Sequence, residues 1–198
     1  MLLIESPHNE RFKKLLKLST DNKFRRKSKL FIIEGLKEIR AALEHNYELE
    51  EVYIDDKYKT AFPEKEFDQV SVTILKHDLF SRLVYREDAS YILAVLKEPV
   101  LDLSQIQLPE NPLIIILENI EKPGNLGALL RTCDAVGADA VILSQDHHNF
   151  FHPNVIRSSV GTVFSNQIAY AGAEEIKLWC KENNIKVYAA ALQTDKFY

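Results

Sequence analysis

Residues Glu121 to Leu143 read EKPGNLGALLRTCDAVGADAVIL, and they hold three of the chain's six glycines. The apolar run PLIIILENI before them is rich in β-branched residues, as expected of a strand covered on both faces. Pro123-Gly124-Asn125 predicts a sharp turn, with Asn125 as N-cap of a helix starting near Leu126. Leu126, Leu129, Leu130, Cys133 and Val136 form the predicted buried stripe of that helix. ADAVILSQD reads as the next strand, so the whole is a strand, loop, helix and strand of the parallel α/β kind. Gly127 and Ala128 stand four and three positions before Arg131. A helical side chain leans toward the helix N-terminus, so Arg131 is expected to cross a surface free of bulk toward the first-turn amides. Amides and guanidinium together would receive a phosphate or carboxylate. The other reading is an Arg131–Asp134 surface pair at i,i+3. The stretch is neither a Walker loop nor GxGxxG.

Downstream, HPNVIRSSVGTVF predicts a helix with Pro153 near its first turn, followed by a short strand, the helix AEEIKLWCKENN and the strand IKVYAAAL. The sequence stops at QTDKFY, just past that strand. Ligands of open α/β sheets lie beyond the carboxyl ends of the strands, so the chain is expected to lack one wall of its own site. Upstream, residues 99–112 contain three prolines and no clean period, which predicts a linker. Before it come an amphipathic helix from Asn9 to Leu18, a polar basic stretch DNKFRRKSK and the strand LFIIEG. The helix LKEIRAALEHN follows, with Asn46 as C-cap, then the strands LEEVYID and VSVTILK, the short helix HDLFSRLVYRE and the strand SYILAVLKE. The alternation predicts a small α/β sandwich with a mainly parallel sheet. The expected division is 1–98, a linker at 99–112, and a second unit at 113–198, without internal repeats.

At 198 residues and 46% hydrophobic content, the chain can bury a substantial core. No run reaches the ~18 apolar residues of a membrane span, and the charged start argues against a secretory signal, so no membrane role and a cytoplasmic location are expected. Cys133 and Cys180 have no CxxC partner, which predicts reduced, half-buried thiols and no disulfide framework. His147, His148 and His152 lie close together, but the first two are adjacent and no carboxylate or cysteine completes a usual ligand spacing, so no metal is expected. Phe150 and Phe151 could stack bases, although an apolar pair opening a helix more often packs in a core. Trp179 is expected in the core or at a dimer interface, and Ser158 and Ser159 have no nucleophile-elbow context. The net charge of −4 is unevenly spread. Residues 11–30 hold nine basic side chains and one acid, giving +8, whereas the rest holds sixteen basic and twenty-eight acidic, giving −12. A basic arm on an acidic body suits a polyanion held at one edge.

The stretch PGNLGALLRTCDAVGADAVIL resembles the first signature of the SpoU-type RNA 2′-O-ribose methyltransferases of the SPOUT (TrmH-like) superfamily. Pro123, Gly124, Asn125, Gly127, Arg131, Gly137, Ala138 and Val141 stand at its fixed positions, and Pro153, Arg157, Ser158 and Gly161 match the family's next recurring stretch. FRRKSKLFIIEGLKEIRAALEHNYELEEVYI is similar to the L30e-like substrate-binding domain that many members carry. The resemblance implies an N-terminal α/β/α sandwich that grips RNA, then a parallel-sheet SPOUT domain with a trefoil knot. It implies a homodimer that transfers a methyl group from S-adenosylmethionine to a ribose 2′-hydroxyl, with rRNA the first expectation and tRNA the alternative. The family assigns its motif arginine, here Arg131, to activating the hydroxyl. Because arginine stays charged, we expect Arg131 to fix the backbone phosphate and stabilise the developing alkoxide, with Asn125 holding the loop or the ribose. Arg25, Arg26, Lys27, Arg157 and Ser158 are the expected RNA contacts, and Ala191, Leu192 and Gln193 the cofactor's edge. The family's second and third signatures, which carry most adenosine contacts and the knot closure, would follow Tyr198. The chain is thus expected to be a fragment, inactive alone. A non-catalytic RNA-binding or ribosome-assembly module is the alternative.

Overall fold

Alternating side chains on three strands set the architecture of the first half. In β2 (Leu30–Glu34), Phe31 and Ile33 enter one core and Ile32 the other. The same division holds in β3 (Leu49–Asp55), where Val52 and Ile54 oppose Tyr53. It recurs in β5 (Ile92–Lys97), where Ile92, Ala94 and Leu96 oppose Leu93 and Val95. Successive side chains of a strand point to opposite faces, so each of these strands is covered twice. The computed structural model describes residues 1–85, 90–144 and 149–190.

One face is covered by α1 (Glu10–Thr20) and α4 (His77–Phe80), through Phe12, Leu15, Leu18, Leu79 and Phe80. The helix α1 begins at Asn9, whose side chain accepts from the Arg11 amide at 2.9 Å, the usual N-cap bond. On the other face lies α3 (Leu36–Glu44), closed by Asn46 at φ 61°. The amides of Asn46 and Tyr47 return to the carbonyls of Leu43 and Ala42 at 3.0 and 3.1 Å, a Schellman closure. Asn46 therefore sits one residue beyond the cap, which is His45. Besides three short 3-10 turns, two elements escaped the sequence reading. One is β1 (Leu2–Ile4). The other is α2 (Asn22–Ser28), built from the polar basic stretch and capped by Asp21.

The five strands, with β4 (Ser71–Leu75), run in the order β1-β4-β3-β5-β2. The pairs β1/β4 and β3/β4 are parallel, but β3/β5 and β2/β5 are antiparallel, so the sheet is mixed and not mainly parallel. A continuously buried strand such as β5 carries the same residues whichever way it runs, so its direction was not legible.

The second sheet is wholly parallel: β6 (Ile114–Leu117), β7 (Ala140–Leu143) and β8 (Ile168–Tyr170), with β7 in the middle. Between β6 and β7 lies α5 (Pro123–Ala135). Between β7 and β8 come α6 (Pro153–Ser159) and α7 (Thr162–Ser165). The predicted single helix is split because Val160 and Gly161 take left-handed φ of 56° and 89°. The helix α8 (Ala173–Glu182) places Ile176 and Cys180 against Ile142 and Ala169, with the half-buried Trp179 packed on that cluster. Among the described residues nothing after Asn184 is a strand, and Val187 and Tyr188 are 60% and 78% exposed. The predicted strand from Ile185 finds no neighbour to pair with over 185–190, and its remaining residues lie outside the described ones.

The two halves share one core. Phe31 of β2 stacks on Phe151 with ring centroids 4.2 Å apart, and Tyr47 meets Phe164 of α7 edge-on at 5.1 Å. Phe150 and Phe151 are both fully buried, which settles them as core residues and not base-stacking ones. Residues 99–112 are tied to the second sheet rather than slack. Leu103 is buried beside Ile142, the Tyr170 amide donates to the Leu101 carbonyl at 2.8 Å, and Gln107 and Gln167 exchange two hydrogen bonds.

Candidate functional site

The helix α5 starts three residues earlier than its sequence suggested. Pro123 occupies the first helical position and Lys122 is the N-cap, with no side-chain cap bond. Proline suits that place because its ring presets φ and its missing N–H would be unpaired anyway. Asn125 is therefore inside the helix, exposed, with its own amide bonded to the Lys122 carbonyl at 3.0 Å. It does not cap the helix, and among the described residues its carboxamide makes no hydrogen bond. Among the described residues the Gly124 amide is the one first-turn N–H that donates to nothing, so the expected cluster of free amides reduces to one. A Cβ at Gly124 would meet nothing within 4 Å, so the turn is open.

Gly127 has a different task from the one its spacing suggested. It is buried, and a Cβ there would overlap Ser158 Oγ and lie 2.7 Å from the Ser159 amide nitrogen. The glycine lets α6 approach α5 closely, so it packs two helices and does not clear a path for Arg131. Leu126, Leu130 and Cys133 are buried on the same side, Leu129 is half-buried, and Val136 is 58% exposed. The helix closes at Gly137, φ 67°, with the amides of Gly137 and Ala138 returning to Asp134 and Cys133.

The opposite side of α5 presents Asn125, Ala128 and Arg131 to solvent. Among the described residues Arg131 makes no ion pair and no hydrogen bond, and Asp134 instead accepts from Ser165 Oγ at 2.6 Å. The surface-pair reading of Arg131 is thereby removed. Burial raises the pKa of the Cys133 thiol on the inner side, which makes it a poor nucleophile.

The other expected site residues separate into two groups. Arg25 is a correction: it is 1% exposed, donating through Nη1 to the Leu18 carbonyl at 2.6 Å, while its Nε has no partner among the described residues. Burial lowers its pKa, against the opposing effect of Asp21. It stands inside the molecule and gives no open contact to a polyanion. Its neighbours Arg26 and Lys27 on α2 are exposed. Arg157 of α6 donates to Asn154 Oδ1 and lies over the Tyr85 ring, 3.6 Å from its centroid. Ser158 donates to the Asn154 carbonyl at 2.6 Å and fills the space over Gly127. Sequence reasoning missed Tyr85, which it placed on a helix; α4 ends at Phe80. His152 caps α6 through Nδ1, which accepts from the Asn154 amide at 3.1 Å. Its pKa is lowered by burial first, then by Arg25 and Arg157. His147, His148, Ala191, Leu192 and Gln193 lie outside the described residues.

The fold also carries the basic helix α2 to the start of α5. Asn22 of α2 and Pro123 of α5 face each other across a cavity of about 230 Å³, and Asn149 donates to Asn22 at 3.4 Å. The +8 segment and the open turn therefore share one edge of the molecule.

Residues 112–198 match the SpoU rRNA Methylase family, and residues 9–94 the MRM3-like substrate binding domain. Over all 198 residues the chain is 30% identical to a 23S rRNA guanosine 2′-O-methyltransferase of Bacillus subtilis, spanning 77% of that protein. The chain belongs to the SpoU rRNA methylase family. A second relative, a 23S rRNA uridine 2′-O-methyltransferase of Streptomyces viridochromogenes, is 27% identical over 79% of the chain and 56% of its own length. The SpoU methyltransferase AviRb of that organism, solved in complex with its cofactor AdoMet, superposes with a TM-score of 0.82 at 25% identity, covering 89% of this chain and 69% of its own. The likeness to these SpoU enzymes extends over both halves of the chain.

Proposed function

We propose that this protein is an S-adenosylmethionine-dependent methyltransferase acting on a ribose 2′-hydroxyl of ribosomal RNA. The observation that carries the reading is the outer side of α5, where Asn125 and Arg131 face solvent on a helix whose inner side is fully used in packing. The matching of both halves to proteins named as 23S rRNA 2′-O-methyltransferases supports it.

What the described residues offer the cofactor is one wall: the carboxyl ends of three parallel strands, the uncapped start of α5 and the open turn at Gly124. Such an edge is where open α/β sheets bind ligands, and it fits a nucleoside carrying a carboxylate. Ala191, Leu192 and Gln193 are the residues we assign to its margin. Bound S-adenosylmethionine would supply a methyl group on a cationic sulfur; transfer would make a C–O bond, break the C–S bond to leave S-adenosylhomocysteine, and pass the hydroxyl proton to water. Arg131 stays protonated and cannot take that proton. It instead holds the phosphate next to the target ribose and offsets the charge that grows on the 2′-oxygen. Asn125, nearer the start of the same helix, can donate to or accept from the ribose. Much of the rate then comes from alignment of hydroxyl and methyl.

The exposed Arg26 and Lys27, with Arg157 and Ser158 of α6, supply the RNA contacts in this reading, since phosphate contacts position a nucleic acid without reading it. We take the N-terminal half as an L30e-like RNA grip, the working state as a homodimer and the compartment as the cytoplasm. The unpaired buried cysteines agree with a reducing compartment.

The test is methyl transfer by the full-length protein to an unmodified 23S rRNA transcript, read as a phosphodiester that becomes resistant to alkali 3′ to the modified ribose. Calorimetric titration of S-adenosylmethionine and S-adenosylhomocysteine runs beside it. Transfer confirms the reading. Protein that binds RNA but neither cofactor form would establish the RNA-binding module instead.

A further inference from the structure

A cleft of about 480 Å³ lies where the two halves meet, between β2, the segment after α4 and the start of α6. Nothing in the methyl-transfer chemistry above uses it. Its volume falls in the ordinary range of ligand sites, ~300–1,000 Å³. On its C-terminal wall Arg157 is held by Asn154 and lies flat against Tyr85, 3.6 Å from the ring centroid. Tyr85 is nevertheless 72% exposed, so guanidinium covers one side of the ring and solvent the other. A large aromatic ring fixed from behind and open in front is a stacking platform.

The opposite wall carries Glu38, half-buried, folded over Gly35 at the start of α3. Among the described residues its carboxylate accepts no hydrogen bond. Glu34, beside it, already accepts from the Tyr85 amide at 3.0 Å and ties the platform to β2. Arg82 and Arg157 stand among the lining residues as cations. An aromatic face, an unused carboxylate and two cations match the three parts of one nucleotide: a π-face, an edge of N–H donors and a phosphate.

We propose that this cleft receives one unpaired nucleotide of the RNA substrate, its base stacked on Tyr85 and its donor edge on Glu38, with guanine preferred. A carboxylate's two oxygens match the adjacent N1–H and N2–H of guanine, whereas uracil offers one N–H. The inference rests on the RNA-methyltransferase reading and adds a second contact that selects sequence, away from the reacting ribose. Because the cleft is walled by both halves, a base seated there also fixes the RNA relative to α5.

Fluorescence anisotropy of the full-length protein tests it, with labelled RNA decamers of uridine alone or with one central guanosine, and an RNA duplex of about 16 base pairs as control. Tyr85→Ala is expected to weaken the guanosine decamer about tenfold, to leave the duplex unchanged and to keep the salt dependence. Tyr85→Phe retains affinity, and Glu38→Gln narrows the preference for guanosine over uridine. Tyr85 is too exposed for its loss to unfold the protein. Unchanged decamer binding by Tyr85→Ala overturns the proposal, and so does an equal loss on decamer and duplex. Wild-type protein that binds neither RNA overturns the RNA reading itself, and the cleft's role with it.

Discussion

The two sides of α5 make opposite use of the same thirteen residues. Inward, Leu126, Leu130 and Cys133 are buried, and Gly127 gives up its side chain so that Ser158 and Ser159 can approach. Outward, Asn125 and Arg131 reach solvent, and Arg131 has no partner among the described residues. Stability accounts for the first set and leaves the second unexplained. An exposed arginine with no hydrogen bond or ion pair among the described residues is the residue to ask what it binds.

Substitutions on each side should separate the two roles. The largest effect is expected for Leu130→Ala, which opens a cavity in the shared core and should cost about 3 kcal/mol in denaturant unfolding. Next comes Gly127→Ala, at about 2 kcal/mol, because the added methyl meets Ser158 Oγ and the Ser159 backbone. Adding Ser158→Gly should recover only part of that, since the backbone contact remains. Full recovery would mean that the helices are free to part and that the tight contact is not structural.

The comparison extends to the buried Arg25. Replacing it with methionine should change stability by no more than about 1 kcal/mol, because an apolar residue of similar length relieves the desolvation of a partly paired cation. The same change should raise the pKa of His152, since Arg25 is the second cause of its depression after burial. The sign follows from linkage. A histidine whose folded pKa lies below the ordinary value of 6.5 contributes its full stability above that pH and loses it as the pH falls below it. NMR titration of the His152 ring in wild type and Arg25→Met checks both points. The smallest effect belongs to Thr132→Ala on the outward side, within about 0.5 kcal/mol. A larger loss there would show that the outer side is not free of structural duty.

Much of this contrast is legible in the amino-acid sequence. The alternation in LFIIE and the stripe Leu126, Leu130, Cys133 follow from residue spacing alone, because water sorts side chains by period. That Arg131 faces outward is legible for the same reason: it does not belong to the stripe. What fails does so where a competing term is invisible in one segment. Asn125 reads as a cap, but Pro123 starts a helix equally well and comes first. The role of Gly127 depends on Ser158, which belongs to another helix far along the chain. Arg25 reads as part of an open basic arm, because a run of cations gives no sign of which one turns inward. The direction of β5 depends on its neighbours and not on its residues, and Tyr85 meets Arg157 only after both halves have packed.

The measurement closest to the central claim is Arg131→Ala in the full-length protein, followed by methyl transfer to 23S rRNA and by urea unfolding on the same preparation. The account predicts transfer reduced by about a hundredfold or more, with the unfolding midpoint unchanged. Transfer within about threefold of wild type, less than a single transition-state contact contributes, or a loss of activity that merely tracks a loss of stability, would contradict it.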